Sequence, residues 1–459
     1  MQFLLVFNSL LIPTILGYYL IKIIFHKTIL PAFSTLGLAY LTGLGILAQI
    51  MCWSAILKIP LSIMNLVPIT ILIIIVLIFI FFLKRRLFIK ENPLKIIVSD
   101  PQKTNLFSKT VTSILLIYVL LNCFSIFVIS TYFPIYAWDS ITSEAFKAKM
   151  IFFDGNLDKI PSAPYPSFPL FTPFILSWSA MLTGFWEDGG MHIIFSLAFF
   201  SFISVFYNIL SFYSNRYGGI LGIILLLSSN YLFILATISY RDVFMMAYNS
   251  LTIFFLLLWE EKENLSLLIV AALMSGMGLF TKLEGQAYFF IHLFILGIIL
   301  QERKDRTWKE TLSLATCFIM TSLSFFLPFG IFKILSKTPF NEKAIVFIDH
   351  QTLFRFLETI KDTIKELLFF TNWHPLFWWL FSLCLIIFII RKKDKTTSLL
   401  LTTIAFYFLT TIFVFSATNA YFEKVFCNIS RVSLHFYPLI VLFIILIMKK
   451  TFSSYNKNL

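Results

Sequence analysis

Charged residues are scarce in this chain. They make up 13% of the 459 residues, against 59% hydrophobic residues, whereas soluble domains carry about 25% charged residues. This deficit excludes an ordinary globular enzyme. The mean hydropathy is +0.89, and repeated apolar runs exceed the roughly 20 residues that span a bilayer as a helix. Because the runs do not alternate with period two, they exclude a transmembrane barrel and predict an all-α polytopic membrane protein.

Cysteine and several nucleotide-binding or hydrolase motifs are also scarce or absent. The five cysteines lie far apart and form no C-x-x-C pair, which argues against a disulfide framework or a zinc site. No Gly-rich phosphate loop, no G-x-S-x-G elbow and no D-x-D or histidine cluster with metal spacing occurs. We therefore expect no metal cofactor, and the apolar bulk leaves no room for a soluble nucleotide-sugar domain.

Hydropathy predicts thirteen transmembrane helices. The apolar start of the chain has no basic n-region or clear cleavage site, so we expect it to be a retained helix. The predicted spans lie near residues 2–25, 30–57, 61–83, 110–133, 191–213, 218–237, 241–259, 264–281, 285–300, 309–333, 375–391, 397–416 and 432–448. A further apolar segment, 168–185, is short and contains two prolines, which predicts a re-entrant or interfacial helix.

Basic residues in the short loops predict the orientation. Lys84 to Arg86, Arg303 to Arg306, Arg391 to Lys393 and the terminal Lys449 and Lys450 all fall on one face, which the positive-inside rule makes cytoplasmic. The N-terminus is then outside the cytoplasmic (inner) membrane and the C-terminus inside. The whole formal net charge of +13 falls on the cytoplasmic side, so it is explained by orientation and anionic lipid, without a nucleic-acid partner.

Two long outer loops divide the chain into three predicted parts. Residues 1–109 hold three helices and a basic cytoplasmic loop, residues 110–333 form a membrane core with the first outer loop (134–190), and residues 334–459 hold the second outer loop and the last helices. Loops of this length are more often functional than accidental. The second one contains a strongly amphipathic helix near 351–370, which either lies flat on the outer membrane surface or packs on the protein.

The first outer loop begins with a carboxylate beside an aromatic side chain. Asp139 follows Trp138 immediately beyond the fourth span, where a lipid-borne substrate would present its polar end. A short helix from about Ile141 to Phe153 is predicted after it, with Asp139 or Ser140 as its N-cap. Capping is therefore the structural alternative to chemistry for Asp139.

Charged side chains at membrane depth are costly, so each needs a reason. Snorkelling of Arg241 and Lys282, helix capping by Asp242 and core burial of His435 are structural alternatives. Yet the predicted topology brings four polar groups besides Asp139 to the outer face. They are Tyr240-Arg241-Asp242, Thr281-Lys282-Leu283-Glu284-Gly285, Trp373-His374-Pro375, and Arg431 with His435 one helical turn later.

This arrangement resembles the GT-C superfamily of integral-membrane glycosyltransferases, which contains protein O-mannosyltransferases and lipid A aminoarabinose transferases. The resemblance covers roughly residues 110–300, with a looser echo near Arg431. Its elements are Trp138-Asp139 with Lys147 and Lys149, then Tyr165-Pro166, Tyr240-Arg241-Asp242 and Thr281-Lys282-Leu283-Glu284-Gly285. Ser140 stands where family members often carry a second acidic residue, and the nearest acid after it is Glu144.

The resemblance implies transfer of one sugar from a polyprenyl-phosphate carrier to an acceptor hydroxyl on the extracytoplasmic face, with inversion. A carboxylate must accept the acceptor's proton, and fixed positive charge must meet the departing phosphate. The implied catalytic base is Asp139, with Glu144 as the alternative. The implied donor phosphate ligands are Lys282, Arg241, Arg431 and His435, and the implied substrate-binding residues are Trp138, Tyr136, Lys147, Asp242, Glu284 and Tyr165.

The expected partners are the lipid-linked donor, a lipid, glycan or protein acceptor, and the bilayer. A divalent metal enters only if the donor is a pyrophosphate. The first alternative function is a lipid or solute transporter whose outer charges line a path, although the sequence shows no internal repeat. The second is a non-catalytic scaffold, which would leave the outer charges unused.

Overall fold

The computed structural model describes residues 2–25, 28–87, 94–95, 106–191, 193–303, 306–338, 351–369, 375–391, 394–418 and 427–455. Apart from two short strands, β1 (Thr28–Ile29) and β2 (Leu94–Lys95), these residues form helices and loops, which confirms the all-α class. The α-helices are α1 Gln2–Ile24, α2 Ala32–Ile56, α3 Ile63–Leu87, α4 Leu106–Tyr132, α5 Phe146–Asp154, α6 Phe171–Thr183, α7 Ile193–Tyr213, α8 Arg216–Leu227, α9 Asn230–Thr237, α10 Asp242–Lys262, α11 Leu265–Thr281, α12 Glu284–Glu302, α13 Trp308–Leu335, α14 Thr352–Phe369, α15 Pro375–Ile390, α16 Lys395–Ser416, α17 Cys427–Ser433 and α18 Tyr437–Tyr455.

The helices confirm a polytopic membrane protein. Within the described residues, eight helices are long and apolar enough to cross a bilayer, or nine if α8 and α9, which meet at 77°, form one broken span. Each of the thirteen predicted segments overlaps a helix, while the number thirteen itself stays a prediction. The segment predicted to be re-entrant contains α6, whose 13 residues reach about 20 Å and so fall short of the roughly 30 Å hydrocarbon core.

The chain forms two compact units. The first contains Met1–Ile97, Cys123–Phe206 and Leu235–Phe340, and the second contains Val98–Asn122, Tyr207–Ile234 and Asn341–Leu459. The three N-terminal helices therefore belong to the same unit as α10 to α13. Helix α10 lies in the middle of the first unit, because every residue from Asp242 to Glu260 is buried.

Helices α1 and α2 pack with their backbones in near contact. A Cβ atom built on Gly43 would lie 1.7 Å from the carbonyl oxygen of Pro13, and one on Gly17 would lie 1.9 Å from that of Ala39. Small residues at such crossings are typical of membrane helices, where close approach replaces the hydrophobic effect as the source of attraction. Helix α2 in turn reaches α10, since the Tyr248 hydroxyl donates to the Leu41 carbonyl at 2.9 Å.

A buried polar trio joins α10, α11 and α12 within the first unit. His292 Nε2 lies 2.9 Å from Asn249 Oδ1, and His292 Nδ1 lies 2.8 Å from Ser275 Oγ. An amide oxygen can only accept, so Nε2 carries the proton and Nδ1 accepts from the serine hydroxyl. These bonds join the same three helices whose ends carry Asp242, Lys282 and Glu284, about two turns away along each helix.

The contacts in the first unit separate two ends. At one end the Leu61 amide donates to the Gly155 carbonyl at 2.7 Å, which places the α2–α3 loop beside the end of α5. At the other end the Ser266 hydroxyl donates to the Ile24 carbonyl at 2.7 Å, and β1 pairs with β2 in parallel. Lys84 to Arg86, in the last turn of α3, and Arg303, just after α12 and bonded to Glu260, lie at this second end, opposite Glu144, Arg241 and Lys282 of the same unit. This relative placement agrees with the predicted topology, and the absolute orientation stays a prediction.

In the second unit, the predicted amphipathic helix is α14, and its buried face carries more polar than apolar side chains. Arg355 Nε donates to the Ser416 carbonyl at 3.1 Å, so α14 packs on α16 through a polar side chain. Thr359, Thr363 and Leu367 are buried with it. Most of the predicted apolar stripe faces outward instead, with Leu353, Leu357 and Ile364 at least half exposed.

We predict that Gly43→Ala destabilises the protein. The added methyl would collide with the Pro13 carbonyl, and overpacking of this kind costs roughly 1 to 3 kcal/mol. Thermal unfolding of the purified protein in detergent measures the effect as a lower Tm.

The matched control is Gly297→Ala in α12, where a new Cβ meets no atom within 4 Å. Alanine favours a helix over glycine by about 1 kcal/mol, so the Tm should hold or rise. Equal Tm values for the two variants would contradict the close α1–α2 packing.

Candidate active site

The helix after the fourth span carries the two implied catalytic carboxylates. A π-helical turn, Ser140–Ala145, continues into α5, which ends at Gly155 in the left-handed conformation (φ 65°). The predicted helix from about Ile141 to Phe153 thus exists, with a π-turn at its start. The side chain of Asp139 makes no capping hydrogen bond, so the capping alternative does not describe it.

This helix has an unusual polarity. Its exposed side is largely apolar, with Trp138, Ile141, Phe146 and Phe153 between 44 and 72% exposed. Its buried side is polar and carries Ser140, Ser143, Glu144 and Lys147. The helix therefore directs its ionisable groups into the first unit.

Glu144 and Arg241 form a buried ion pair. Arg241 Nε lies 2.9 Å from Glu144 Oε1, and both side chains are at least 94% buried. Burial raises the pKa of Glu144, and the positive charges of Arg241 and Lys147 oppose that rise. Removing one partner of such a pair typically costs about 3 to 5 kcal/mol, because the other charge stays buried. The pair thus fixes the outer-loop helix to the start of α10.

A stacked aromatic pair lies against the same cations. The rings of Tyr165 and Phe168 stack with centroids 5.2 Å apart, and the Arg241 guanidinium lies 4.4 Å from the Phe168 centroid. Lys147 Nζ lies 5.5 Å from that centroid and donates to the Tyr165 carbonyl. Cation–π contacts of this kind hold positive charge at a desolvated position.

A second buried charge cluster lies at the ends of α10, α11 and α12. Lys282 Nζ lies 3.0 Å from Asp242 Oδ1 and 2.9 Å from Glu284 Oε1. The side chains of Lys282 and Asp242 are 10% and 0% exposed, and that of Glu284 is 32% exposed. An ammonium group has three N–H donors, and two of them point at these carboxylates.

Asp139 is more accessible than Glu144, Arg241, Asp242 and Lys282, which are all buried. It is half-buried, and its backbone N–H donates to the Tyr240 hydroxyl at 3.3 Å. Tyr240 directly precedes Arg241, so this bond brings Asp139 to the start of α10. The implied sugar platforms beside it, Trp138 and Tyr136, are 72% and 52% exposed.

An apolar layer closes the site from below. Phe171 at the start of α6 packs edge-on against Phe244 and Tyr248 of α10 and Phe280 of α11. Phe280 in turn contacts Phe329 of α13. The ionic groups therefore lie directly above an aromatic core, where water is excluded and electrostatic contacts gain strength.

Two implied phosphate ligands belong to the other unit. Arg431 and His435 lie in the second unit, on and just after α17, while the remaining implied site residues lie in the first. Their part in the site stays a prediction. Trp373 and His374 lie outside the described residues.

Sequence reasoning missed two residues, Phe168 and Lys333, and the role of a third, Tyr240. Phe168 contacts two cations and has no signal beyond its place after Tyr165-Pro166. Tyr240 belongs to a predicted motif, but nothing in the sequence indicates that its hydroxyl accepts from the Asp139 backbone N–H. Lys333, near the C-terminal end of α13, is fully buried with its ammonium 5.0 Å from the Phe329 ring. A lysine inside a predicted span was the available signal for it.

The site combines a half-buried carboxylate, two buried cations held by acidic side chains, and an aromatic layer packed beside them. No curated protein and no solved structure matches the chain. A family model described as dolichyl-phosphate-mannose-protein mannosyltransferase matches residues 167–332, a range that includes both Arg241 and Lys282 and leaves out Asp139 and Glu144. Over residues 167–332 the chain is therefore similar to this family, which confirms the resemblance to GT-C glycosyltransferases.

Proposed function

We propose that the protein transfers a sugar from a polyprenyl-phosphate donor to an acceptor hydroxyl on the extracytoplasmic face of the cytoplasmic membrane. The observation that carries this proposal is the pair of buried cations Arg241 and Lys282. Arg241 directly precedes α10 and Lys282 directly follows α11. Both lie inside the region that matches the mannosyltransferase family. Buried positive charge that is already oriented can stabilise a departing phosphate without reorganisation during the reaction.

The proposed reaction is a single displacement at the anomeric carbon. The acceptor oxygen forms the new bond to that carbon as the bond to the phosphate oxygen breaks, which inverts the configuration. The acceptor's proton passes to a carboxylate, and the lipid phosphate leaves with the electron pair of the broken bond. Fixed cations then face the charge that develops on the phosphate.

Asp139 is the proposed general base because an acceptor can reach it. Glu144 is the alternative: burial raises its pKa, which favours proton acceptance near neutral pH. Glu144 Oε1 is engaged by Arg241, however, and the residue is 1% exposed. We therefore assign Glu144 first to holding Arg241 and Asp139 to the proton transfer.

Lys282 is the proposed second phosphate contact. Asp242 and Glu284 orient its ammonium and leave one donor for a phosphate oxygen. A monophosphate carries less charge than a pyrophosphate, so side-chain cations can neutralise it and a divalent metal is not required. We include Arg431 and His435 as further candidate ligands from the second unit.

We predict that Asp139→Asn removes most transfer while folding is retained. The amide keeps the shape of the carboxylate and cannot accept the proton, and loss of a general base typically costs 10²- to 10⁴-fold in rate, as an order of magnitude. Transfer from a polyprenyl-phosphate sugar, measured with the purified variant alongside its Tm, checks this.

Asp158→Asn is the matched control, since Asp158 is an exposed acid of the same loop; its transfer rate should equal that of the wild type. If Asp139→Asn transfers sugar normally while Glu144→Gln folds and is inactive, the base is Glu144.

We further predict that transfer survives EDTA and that Lys282→Ala weakens donor binding. Lost charge-assisted hydrogen bonds cost roughly 1.5 to 3 kcal/mol each. Arg431→Lys should recover part of the affinity lost in Arg431→Ala, because lysine keeps the charge and lacks the planar fork. Donor affinity and transfer rate are measured with and without the chelator.

Lys262→Ala serves as the control, because Lys262 lies at the opposite end of α10 and pairs with Glu261; donor affinity should not change. Transfer that EDTA abolishes and manganese restores would instead favour Asp139, Asp242 and Glu144 as metal ligands on a pyrophosphate donor.

A further inference from the structure

Six buried polar atoms of the outer-loop helix, the 167–172 segment and Arg241 make no hydrogen bond to any described residue. Two of them, Ser140 Oγ and Ser143 Oγ, lie on the helical turn of Glu144. The other four are Ser167 Oγ, Thr172 Oγ1, Arg241 Nη1 and Glu144 Oε2, and their residues are 1, 1, 5 and 1% exposed. Buried polar groups are nearly always paired, so each such atom calls for an explanation. Four in one place indicate a ligand.

The four residues converge on one turn of the chain. Arg241 is bonded to Glu144 through Nε and covers the ring of Phe168, which directly follows Ser167. Thr172 is the second residue of α6 and follows Phe171, whose ring contacts Phe244, one turn after Arg241. The four residues therefore lie on, or against, the segment that connects the stacked aromatic pair to α6.

The start of α6 adds positive potential at the same point. No side chain caps this 13-residue helix, and its first residues, Phe171 and Thr172, are buried. Their backbone N–H groups and the helix dipole favour an anion at this end. Pro173 at the third position has no N–H, so the hydroxyl of Thr172 supplements the donors.

The donor set matches an oxyanion that bears hydroxyl groups nearby. A guanidinium N–H, two hydroxyls and the helix N-terminus all donate to phosphate oxygens. Glu144 Oε2 is an acceptor, so it suits a sugar hydroxyl or a protonated phosphate oxygen. A sugar phosphate presents both kinds of group.

We propose that Ser167, Thr172, Arg241 and the N-terminus of α6 bind the phosphate of the lipid-linked donor. This assignment rests on the proposed function and adds to Arg241 two residues and a helix N-terminus that the family motifs do not include. Ser167 and Thr172 are unpaired in the free protein because their partner is the donor.

The test measures binding of farnesyl phosphate to the full-length protein in nanodiscs by calorimetry. Thr172→Val keeps the branched shape and removes the hydroxyl, and we expect roughly tenfold weaker binding, as for one lost hydrogen bond to a charged group. Ser167→Ala should act in the same direction. Farnesol, which lacks the phosphate, should bind both variants as it binds the wild type.

Ser177→Ala is the matched control on the same helix. Ser177 is fully buried, and its hydroxyl already donates to the Phe174 carbonyl at 3.0 Å, so farnesyl phosphate affinity should not change. The Tm of the ligand-free protein gives a second readout. Thr172→Val should match or exceed the wild type, since it removes an unpaired buried hydroxyl, whereas a purely structural hydroxyl would lower the Tm when removed.

Affinities within twofold of the wild type in both Ser167→Ala and Thr172→Val would overturn the proposal, as would absence of farnesyl phosphate binding to the wild type. If the wild type transfers sugar while Thr172→Val binds the phosphate normally, this assignment alone is wrong. If phosphate binding depends on Thr172 and no sugar is transferred from any polyprenyl phosphate, the assignment holds and the proposed function is wrong.

Discussion

Buried charge at the edge of an apolar bundle must be paired, and much of the first unit follows from this requirement. Arg241 is 5% exposed, so its charge requires a counter-charge to offset the loss of hydration, and Glu144 of the outer-loop helix supplies it. Lys282 is held by acids from two other helix ends. The ion pair to Glu144 therefore fixes the outer loop together with buried apolar residues of that loop, such as Ile151 and Ile160.

The same pairing prepares the site for chemistry. Each cation is held by a carboxylate, and Arg241 also lies over the Phe168 ring, so the positions of the two cations do not depend on a substrate. The aromatic layer that includes Phe171 and Phe280 excludes water from that side of the ionic groups. A second set of polar bonds, within the membrane-spanning part, aligns α10, α11 and α12, so the charged ends of these helices are held at two depths.

The sequence allowed the fold class and the relative sides of the loops to be predicted, because long apolar runs and basic loops each act locally. The sequence also allowed four site residues to be predicted, because charged residues at the ends of apolar spans are easy to recognise. They are Arg241, Asp242, Lys282 and Glu284. Their pairing could not be predicted, because Glu144 and Arg241 are 97 residues apart and nothing local selects Glu144 over Asp139 as the partner. The sequence also could not predict which face of α14 is buried. In a soluble protein an apolar stripe usually packs on the protein, whereas next to a bilayer it can face the lipid instead.

The trio Asn249, His292 and Ser275 has a direction. The serine hydroxyl donates to the ring and the ring donates to the amide, so reversal would require the ring to change tautomer and the amide to turn over. A side chain that replaces His292 must therefore accept at one position and donate at another. Glutamine has both functions, whereas an ionised glutamate only accepts and leucine does neither. The chemistry of this position thus limits which residues could occur there without loosening the three helices that carry the charges above it.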